Sequence, residues 1–252
     1  SCVKDSCPGL SPFKIIKAMR EAVEILTNAS SKKFNLKFDG DIFKITRPYM
    51  QGFTWAKSSP PKIYTCSTEP QMLRLGGQLA DGLQMSDVAI PMLDEAMKNI
   101  NEGISKRESS IDDFRIGNFW AWHIKDDKEE SMKEARRELI FRGSLLPPFS
   151  LHHFLTDDEA QIVIDNYNAG PNNEFAKAYI SRSGVIENVP EDLVNKLIGD
   201  LSSAGDLNDI DNEVERFHQF KEAGMTDLSI RLFDNPWEGL KMIGEKVLPA
   251  LK

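Results

Sequence analysis

The sequence predicts an α/β fold built on a parallel sheet that closes or curves like a barrel. Short apolar strands alternate with amphipathic helices in about four βα units, a pattern typical of parallel sheets covered by helices. The 252 residues suffice for one large α/β domain or for two ordinary ones. No GxGxxG or GxxxxGKS/T motif follows a predicted strand, so a nucleotide-binding doubly wound sheet has no support. A barrel or barrel-like sheet is therefore the remaining candidate.

Composition argues against several classes of partner. The chain has 39 acidic and 31 basic residues, a formal net charge of -8, and so no long-range attraction to nucleic acid or anionic lipid. No stretch approaches the roughly 18 consecutive apolar residues of a membrane span, and the first residues lack the layout of a secretory signal. Three cysteines suggest a reducing compartment, with a Cys2–Cys7 disulfide left open. We therefore expect a cytoplasmic protein that binds neither nucleic acid nor membranes.

The first elements follow from hydrophobic spacing and turn residues. Apolar residues at helical spacing predict a helix from Pro12 to about Thr27. Alternating residues around Asp39-Gly40-Asp41 predict a small β-hairpin within 34–45. Residues 62–66 resemble a buried strand, Pro70 opens a helix, and a second strand covers 82–85.

The middle of the chain continues this alternation. Helical spacing recurs from 90 to about 104, and an aromatic-rich strand covers 116–124. In that strand the period of two places Asn118, Trp120 and Trp122 on one face, and Phe119, Ala121 and His123 on the other. Residues 128–141 predict a helix with acidic residues early and basic residues late.

The alternation breaks between residues 144 and 216. Several proline and glycine motifs there separate short helical pieces without a convincing strand, so we interpret this segment as a helical insertion. A helix at 213–223, a strand at 227–233 and a helix at 236–251 follow. We therefore expect a single domain, with barrel units at 1–143, the insertion at 144–216 and the last βα unit at 217–252.

Three segments together resemble the bacterial-luciferase-like family of flavin- or F420-dependent oxidoreductases, most closely its methylenetetrahydromethanopterin reductases. Residues 61–82 resemble the family's strand, phosphate-binding turn, helix and Ala-Asp-Gly strand entry. Residues 11–26 and 38–43 are similar to its helix and following hairpin. Residues 220–228 and 247–251 resemble its last helix, strand and helix.

This resemblance implies a TIM (β/α)8 barrel that binds F420, or alternatively FMN, at the carboxyl ends of its strands. It also implies that this chain covers about the C-terminal half of the barrel plus the insertion, with the first strands missing. We expect the chain to be a fragment or to be completed by another chain, because open strand edges are costly. A small-molecule substrate and a homo-oligomer, a dimer or larger, are expected.

Candidate cofactor-binding residues follow the first two predicted barrel strands. They are Cys66, Ser67, Thr68, Glu69, Gln84 and Met85. Ser67 and Thr68 lie where a strand ends and a helix begins, a position that favours a cofactor phosphate. Capping of that helix by Thr68 is the alternative. Glu69 departs from the family's neutral residue, and its charge would repel a phosphate.

The residues beside Gln84 and Met85 have two interpretations. Ser86 and Asp87 leave the same strand and could line the pocket, or they could cap the next helix. In the second case Met85 fills the core.

His123 and Arg231 are the candidate substrate-binding residues. His123 ends a strand, where an imidazole could donate a hydrogen bond or act as an acid, or could be structural. Arg231 could clamp a carboxylate or phosphate, or could pair with Asp234 or with an acidic residue of a helix. His152 and His153 are adjacent, which argues against a zinc pair.

Some residues near the start of the chain are further candidates by resemblance alone. Asp5 and Ser6 would lie near the ring-binding region, with the thiols of Cys2 and Cys7 beside them. No catalytic residue is assigned, because the family's acid lies in strands that precede this sequence.

Three functions remain open. The first is F420-dependent hydride transfer to a small organic acceptor such as methylenetetrahydromethanopterin. The second is an FMN-dependent monooxygenase with the same fold. The third is a non-catalytic subunit or flavin-binding homologue, which Glu69 and the insertion favour.

Overall fold

A computed structural model gives the fold of this protein over most of its length. The predictions about Cys2, Asp5, Ser6 and Cys7 lie outside the described residues. The structure describes residues 12–30, 37–46, 61–108, 112–142 and 151–251.

The described residues divide into two compact units. One comprises residues up to 84 together with 96–116, and the other comprises residues 85–95 and 117–252. The sequence-based division into barrel units (1–143 and 217–252) and an insertion (144–216) describes the order of elements along the chain, not compactness. It therefore stays a prediction.

The first unit begins with a helix and a small hairpin. Helix α1 spans Pro12–Ser30, and strands β1 (Phe38–Asp39) and β2 (Lys44–Ile45) pair antiparallel, as predicted. The buried carboxylate of Glu21 accepts hydrogen bonds from the backbone N–H groups of the hairpin turn, including that of Phe43 at 2.8 Å. One side chain of α1 therefore fixes the turn.

Two parallel strands and two helices complete the first unit. Strand β3 (Tyr64–Cys66) pairs parallel with β4 (Gly82–Ser86), and helix α2 (Pro70–Leu79) connects them. The side chain of Asp81 holds the entry to β3 by accepting the N–H of Ile63 at 2.7 Å. The order strand–helix–strand agrees with the sequence prediction, but the prediction of a buried strand is wrong, because only Thr65 of β3 is buried and Tyr64 and Cys66 are exposed.

Glycines allow α2 to lie very close to helix α3, which spans Leu93–Ile104. A Cβ atom at Gly77 would lie 2.5 Å from the carbonyl oxygen of Ile100, and one at Gly103 would overlap the carbonyl oxygen of Arg74. The backbones therefore approach at a distance that only glycine permits.

The second unit contains two further strands and most of the helices. Strand β5 (Arg115–Trp122) pairs parallel with β6 (Asp227–Leu232). The helices of this part are α4 (Lys128–Glu138), α5 (Asp157–Tyr167), α6 (Glu174–Ser181), α7 (Glu191–Leu201), α8 (Ile210–Glu222) and α9 (Pro236–Met242).

The two faces of β5 differ as its alternation predicts. Trp120 is fully buried and meets Phe220 of α8 edge-to-face at 5.2 Å, and Trp122 lies 6.2 Å from Phe217 of the same helix. These tryptophans therefore pack under helix α8. Phe119, which points to the opposite face, is 36% exposed.

The predicted helical insertion at 144–216 and the predicted last helix at 236–251 are both helical in the structure, but the last helix is not α-helical throughout. The described part of 144–216 contains helices α5, α6 and α7, as predicted for a helical insertion. Its one strand-like contact within the described range is an isolated bridge between Ser203 and Trp122. The final helix was expected to be uniform from 236 to 251, but its α-helical part ends at Met242 and a π-helical turn covers Ile243–Val247.

Candidate functional site

In the first unit, the carboxyl end of β3 leads directly into the N-terminus of α2. The N-cap residue is Glu69, not Thr68, and its side chain makes no capping hydrogen bond. Capping by Thr68 is therefore the wrong alternative. Because Pro70 has no N–H and no side chain caps this end, the first turn presents free backbone donors and the positive end of a helix dipole.

Ser67 adds an unsatisfied hydroxyl at this position. Its Oγ atom is buried and has no hydrogen-bond partner among the described residues, while its backbone N–H donates to the carbonyl oxygen of Gln84 at 3.0 Å. A buried hydroxyl without a partner is unusual in a native fold and requires an explanation. An anion bound at the start of α2 would supply the missing partner.

The other predicted cofactor residues lie in different environments. Cys66 and Glu69 are exposed. Partial removal of the Cys66 thiol from water nevertheless raises its pKa, so this thiol stays protonated near neutral pH. Gln84 is half-buried and Met85 is completely buried. Burial of Met85 is what its alternative interpretation as core predicts, and the cofactor-binding roles of all six residues stay predictions.

In the second unit, Asp87 follows β4 in a left-handed conformation with φ of 54°. Its side chain is completely buried, accepts a hydrogen bond from the Ser86 hydroxyl at 2.7 Å and pairs with Arg142 at 3.4 Å. The short helical turn that follows has Ala89 as its N-cap, without a side-chain bond. Asp87 is therefore the counter-ion of a buried arginine and does not cap that turn.

His123 follows β5 and is completely buried between two charged groups. Nη2 of Arg142 donates to His123 Nε2 at 2.9 Å, and Nδ1 lies 2.9 Å from Glu134 Oε1. A guanidinium has only donors, so Nε2 must carry the lone pair, and Nδ1 donates its proton to Glu134. Burial lowers the pKa of His123 to about 4, although the hydrogen bond to Glu134 opposes this shift.

Glu134 of α4 connects His123 to the loop after β6. Its Oε2 atom lies 3.1 Å from Nζ of Lys125 and accepts the backbone N–H of Asp234 at 3.0 Å. Burial would raise the pKa of Glu134, but the hydrogen bonds from His123 and Lys125 hold it below its ordinary value. The carboxylate is therefore charged at neutral pH and fixes both the His123 tautomer and this loop.

Phe233 places an aromatic ring among these groups. Its ring stacks on His123 with centroids 4.5 Å apart. The guanidinium carbons of Arg142 and Arg231 lie 5.6 and 5.8 Å from the same ring centroid. Asp234, the predicted alternative partner of Arg231, instead pairs with Arg137 at 2.8 Å.

The contacts among Asp87, His123, Glu134, Arg142 and Phe233 limit the chemistry that this cluster can perform. Both nitrogens of His123 are occupied, so it contacts a ligand only if Arg142 or Glu134 moves. A neutral imidazole with a pKa of about 4 is also a poor proton donor at neutral pH. Arg231 is half-buried on the same cluster, so the substrate-binding role stays a prediction that its position favours over that of His123.

Several functional candidates were missed by sequence reasoning. Glu134 was not singled out, because a charged residue on a helix usually lies on a solvated face, and no local pattern marks Arg142 or Phe233. The one signal available in the sequence was the charged residue Asp87 at the end of a strand, because a carboxylate buried there requires a positively charged partner. Its partner lies 55 residues away, and no local pattern reveals that pairing.

The described residues also bear on metals and membranes. His153 pairs with Glu95 at 3.1 Å, and no group of three or more potential ligand residues occurs in the described ranges. Among those residues, no helix combines the length and the apolar character needed to cross a lipid bilayer.

Comparison with known proteins identifies relatives by sequence. A 5,10-methylenetetrahydromethanopterin reductase of Archaeoglobus fulgidus is 28% identical over 247 residues, covering 97% of this chain and 69% of the relative. The enzyme of the same name from Methanopyrus kandleri is 22% identical over 193 residues, which are 75% of this chain and 50% of the relative. The chain thus spans about half to two thirds of the length of these relatives.

Solved structures share the fold. A coenzyme F420-dependent tetrahydromethanopterin reductase from Methanopyrus kandleri matches with a TM-score of 0.70 at 19% identity, over 94% of this chain and 64% of that chain. An F420-dependent secondary alcohol dehydrogenase matches with a TM-score of 0.62 at 14% identity, over 98% and 66%. The predicted fold class, a TIM barrel of the bacterial-luciferase-like type, is confirmed by these matches.

The family follows from a match over most of the chain. A family model described as luciferase-like monooxygenase aligns with residues 9–227. The segments 11–26, 38–43 and 61–82, on which the predicted resemblance depends, lie within this range, whereas 220–228 does so only up to residue 227 and 247–251 lies beyond it. The chain belongs to the luciferase-like monooxygenase family.

Proposed function

We propose that this chain belongs to an F420-dependent oxidoreductase that transfers a hydride between reduced F420 and a small organic acceptor. The observation that carries this proposal is the 28% identity, across 97% of the chain, to a methylenetetrahydromethanopterin reductase. The acceptor we favour is accordingly methylenetetrahydromethanopterin. We further propose that the protein is cytoplasmic and that it assembles from identical subunits.

The residues at the start of α2 fit the phosphate of such a cofactor. The unpartnered Oγ of Ser67 and the uncapped first turn of α2 offer donors to an anion, and the hydroxyl of Thr68 lies next in the chain. Cys66 and Gln84 would contact the same cofactor from the ends of β3 and β4. The exposed carboxylate of Glu69 would weaken binding, because it repels a phosphate.

The chemistry requires little from the protein beyond binding and orientation. Reduced F420, when bound, would supply the hydride and be oxidised by two electrons, and the acceptor would be reduced by the same two electrons. Arg231 would orient the acceptor or the cofactor through its guanidinium. His123 would stay neutral and hold Arg142, since both of its nitrogens are engaged.

Substitution of Ser67 tests the cofactor site. Because its hydroxyl has no partner in the protein, Ser67→Ala should leave the melting temperature unchanged or slightly raised. The same change should weaken F420 binding by about tenfold or more, since a hydrogen bond to a charged phosphate is lost. The binding measurement is a fluorescence titration with F420.

Thr65 is a matched control for this test. Its Oγ1 atom is also buried without a partner among the described residues, but it faces Gly76 in the middle of α2. Thr65→Val should therefore leave F420 affinity unchanged. Equal affinity of the wild-type and Ser67→Ala proteins for F420 would contradict the proposed site.

A second candidate is an FMN-dependent monooxygenase. The description of the matching family model favours it. Oxygen consumption in the presence of reduced FMN separates the two, because a reduced deazaflavin does not form the required peroxide. Oxygen uptake dependent on this protein and FMN would replace the first proposal with the second.

A further inference from the structure

We infer that Arg231 and Arg142, together with the ring of Phe233, form a binding site for a carboxylate group. Arg231 supplies the open position of this site, and Arg142 forms its buried floor. The site stands on the contacts of the second unit alone. Its assignment to a carboxylate of the acceptor or of the cofactor rests on the proposed function.

Two guanidinium groups lie against one aromatic ring. The Cζ atoms of Arg142 and Arg231 lie 5.6 and 5.8 Å from the Phe233 centroid. Burial lowers the pKa of Arg142, Asp87 opposes that shift, and the nearby charge of Arg231 lowers the pKa further. The two cations are therefore close enough to repel one another.

Their charges are compensated very differently. Arg142 is 1% exposed, pairs with Asp87 and donates to His123. Arg231 is half-buried, and within the part of the chain that the structure describes its recorded contact is the ring of Phe233. Among the described residues, no carboxylate pairs with the guanidinium of Arg231.

Neighbouring acids do not compensate Arg231. Asp234 pairs with Arg137 at 2.8 Å and with Arg182 at 3.0 Å. Glu134 binds Lys125 and His123, and His123 is neutral. Within the described residues, these two acids are therefore engaged elsewhere, and the half-buried Arg231 lies beside the ring of Phe233.

The geometry favours a carboxylate as the missing anion. The N–H groups of a guanidinium form a planar fork, and this fork matches the two oxygens of a planar carboxylate. The ring of Phe233 would pack against the apolar part of the same ligand. A planar aromatic carboxylate is therefore the simplest probe.

The test is a calorimetric titration of the full chain with benzoate at constant ionic strength, without cofactor. Arg231→Gln should weaken benzoate binding by about tenfold, and Arg231→Lys should weaken it less, because the charge remains and the fork is lost. Arg182→Gln is the matched control, since it removes the same charge from an exposed arginine that already has a carboxylate partner. Circular dichroism and melting temperature establish that each variant is folded.

The outcomes separate this inference from the proposed function. Benzoate binding that depends on Arg231 and not on Arg182 supports the site even if F420 does not bind. Absence of benzoate binding by the wild-type protein, or equal weakening by Arg231→Gln and Arg182→Gln, overturns it even if F420 binds. Where F420 binds, a raised F420 dissociation constant in Arg231→Gln assigns the carboxylate to the cofactor, and a raised KM for the acceptor assigns it to the acceptor.

Discussion

His123 is held neutral because burial outweighs its contact with a carboxylate. Glu134 alone would favour an imidazolium, but removal from water and the cation of Arg142 favour the neutral ring. The chain of contacts from Asp87 through Arg142 and His123 to Glu134 then has one consistent arrangement of protons. It fixes Arg142 in place beneath the ring of Phe233.

This arrangement predicts a loss of stability in mild acid. The pKa of His123 is about 4 in the folded protein and 6.5 as its ordinary value, so the unfolded chain binds more protons between these limits. The free energy of unfolding should therefore fall as the pH drops from 6.5 to 4, by up to about 3 kcal/mol. Urea unfolding across this range measures the effect.

The matched variant for that measurement is His123→Asn. Its amide has an NH2 group that donates and a carbonyl oxygen that accepts, but it does not titrate, so the variant should be less stable at pH 7 and less sensitive to acid. An identical pH dependence in both proteins would mean that His123 is not the group responsible.

At the scale of elements, helix packing depends on glycines at specific positions. Gly103 lies where α3 crosses α2, and a Cβ atom there would overlap the carbonyl oxygen of Arg74. Gly199 lies on an exposed position of α7, and nothing is within 4 Å of its Cβ position. The same substitution should therefore have opposite effects at the two sites.

We expect Gly103→Ala to lower the free energy of unfolding by about 1–3 kcal/mol, because the two backbones must separate. Gly199→Ala should raise it by about 0.5–1 kcal/mol through lower chain entropy in the unfolded state. Chemical denaturation of both variants provides the comparison. Stabilisation by Gly103→Ala would contradict the close contact between α2 and α3.

The elements themselves were largely predictable from periodicity. The two-residue period of β5 correctly separated Trp120 and Trp122 from Phe119 and His123, because side chains alternate across a strand. The π-helical turn at Ile243–Val247 was not predictable, since apolar spacing does not distinguish it from an α-helix. The cap of α2 was assigned to Thr68 as an alternative because residue preference alone does not give the backbone conformation.

At the scale of the whole molecule, the family could be recognised from ordered segments, whereas the buried charges could not. Strand ends mark where ligands bind in parallel barrels, so Ser67 and Arg231 were accessible to sequence reasoning. The pairing of Asp87 with Arg142 depends on tertiary packing across many intervening residues. Strand ends can therefore be located from the sequence and the buried ion pair cannot, while the binding roles of Ser67 and Arg231 stay predictions.

The central claim is that this protein binds F420 in preference to FMN. The most direct measurement is native mass spectrometry of the full chain incubated with equal concentrations of both cofactors, which reports subunit composition and bound mass together. We predict an added mass equal to F420 that is much reduced in Ser67→Ala and unchanged in Thr65→Val. An added mass equal to FMN, or no bound cofactor on a folded protein, would contradict the claim.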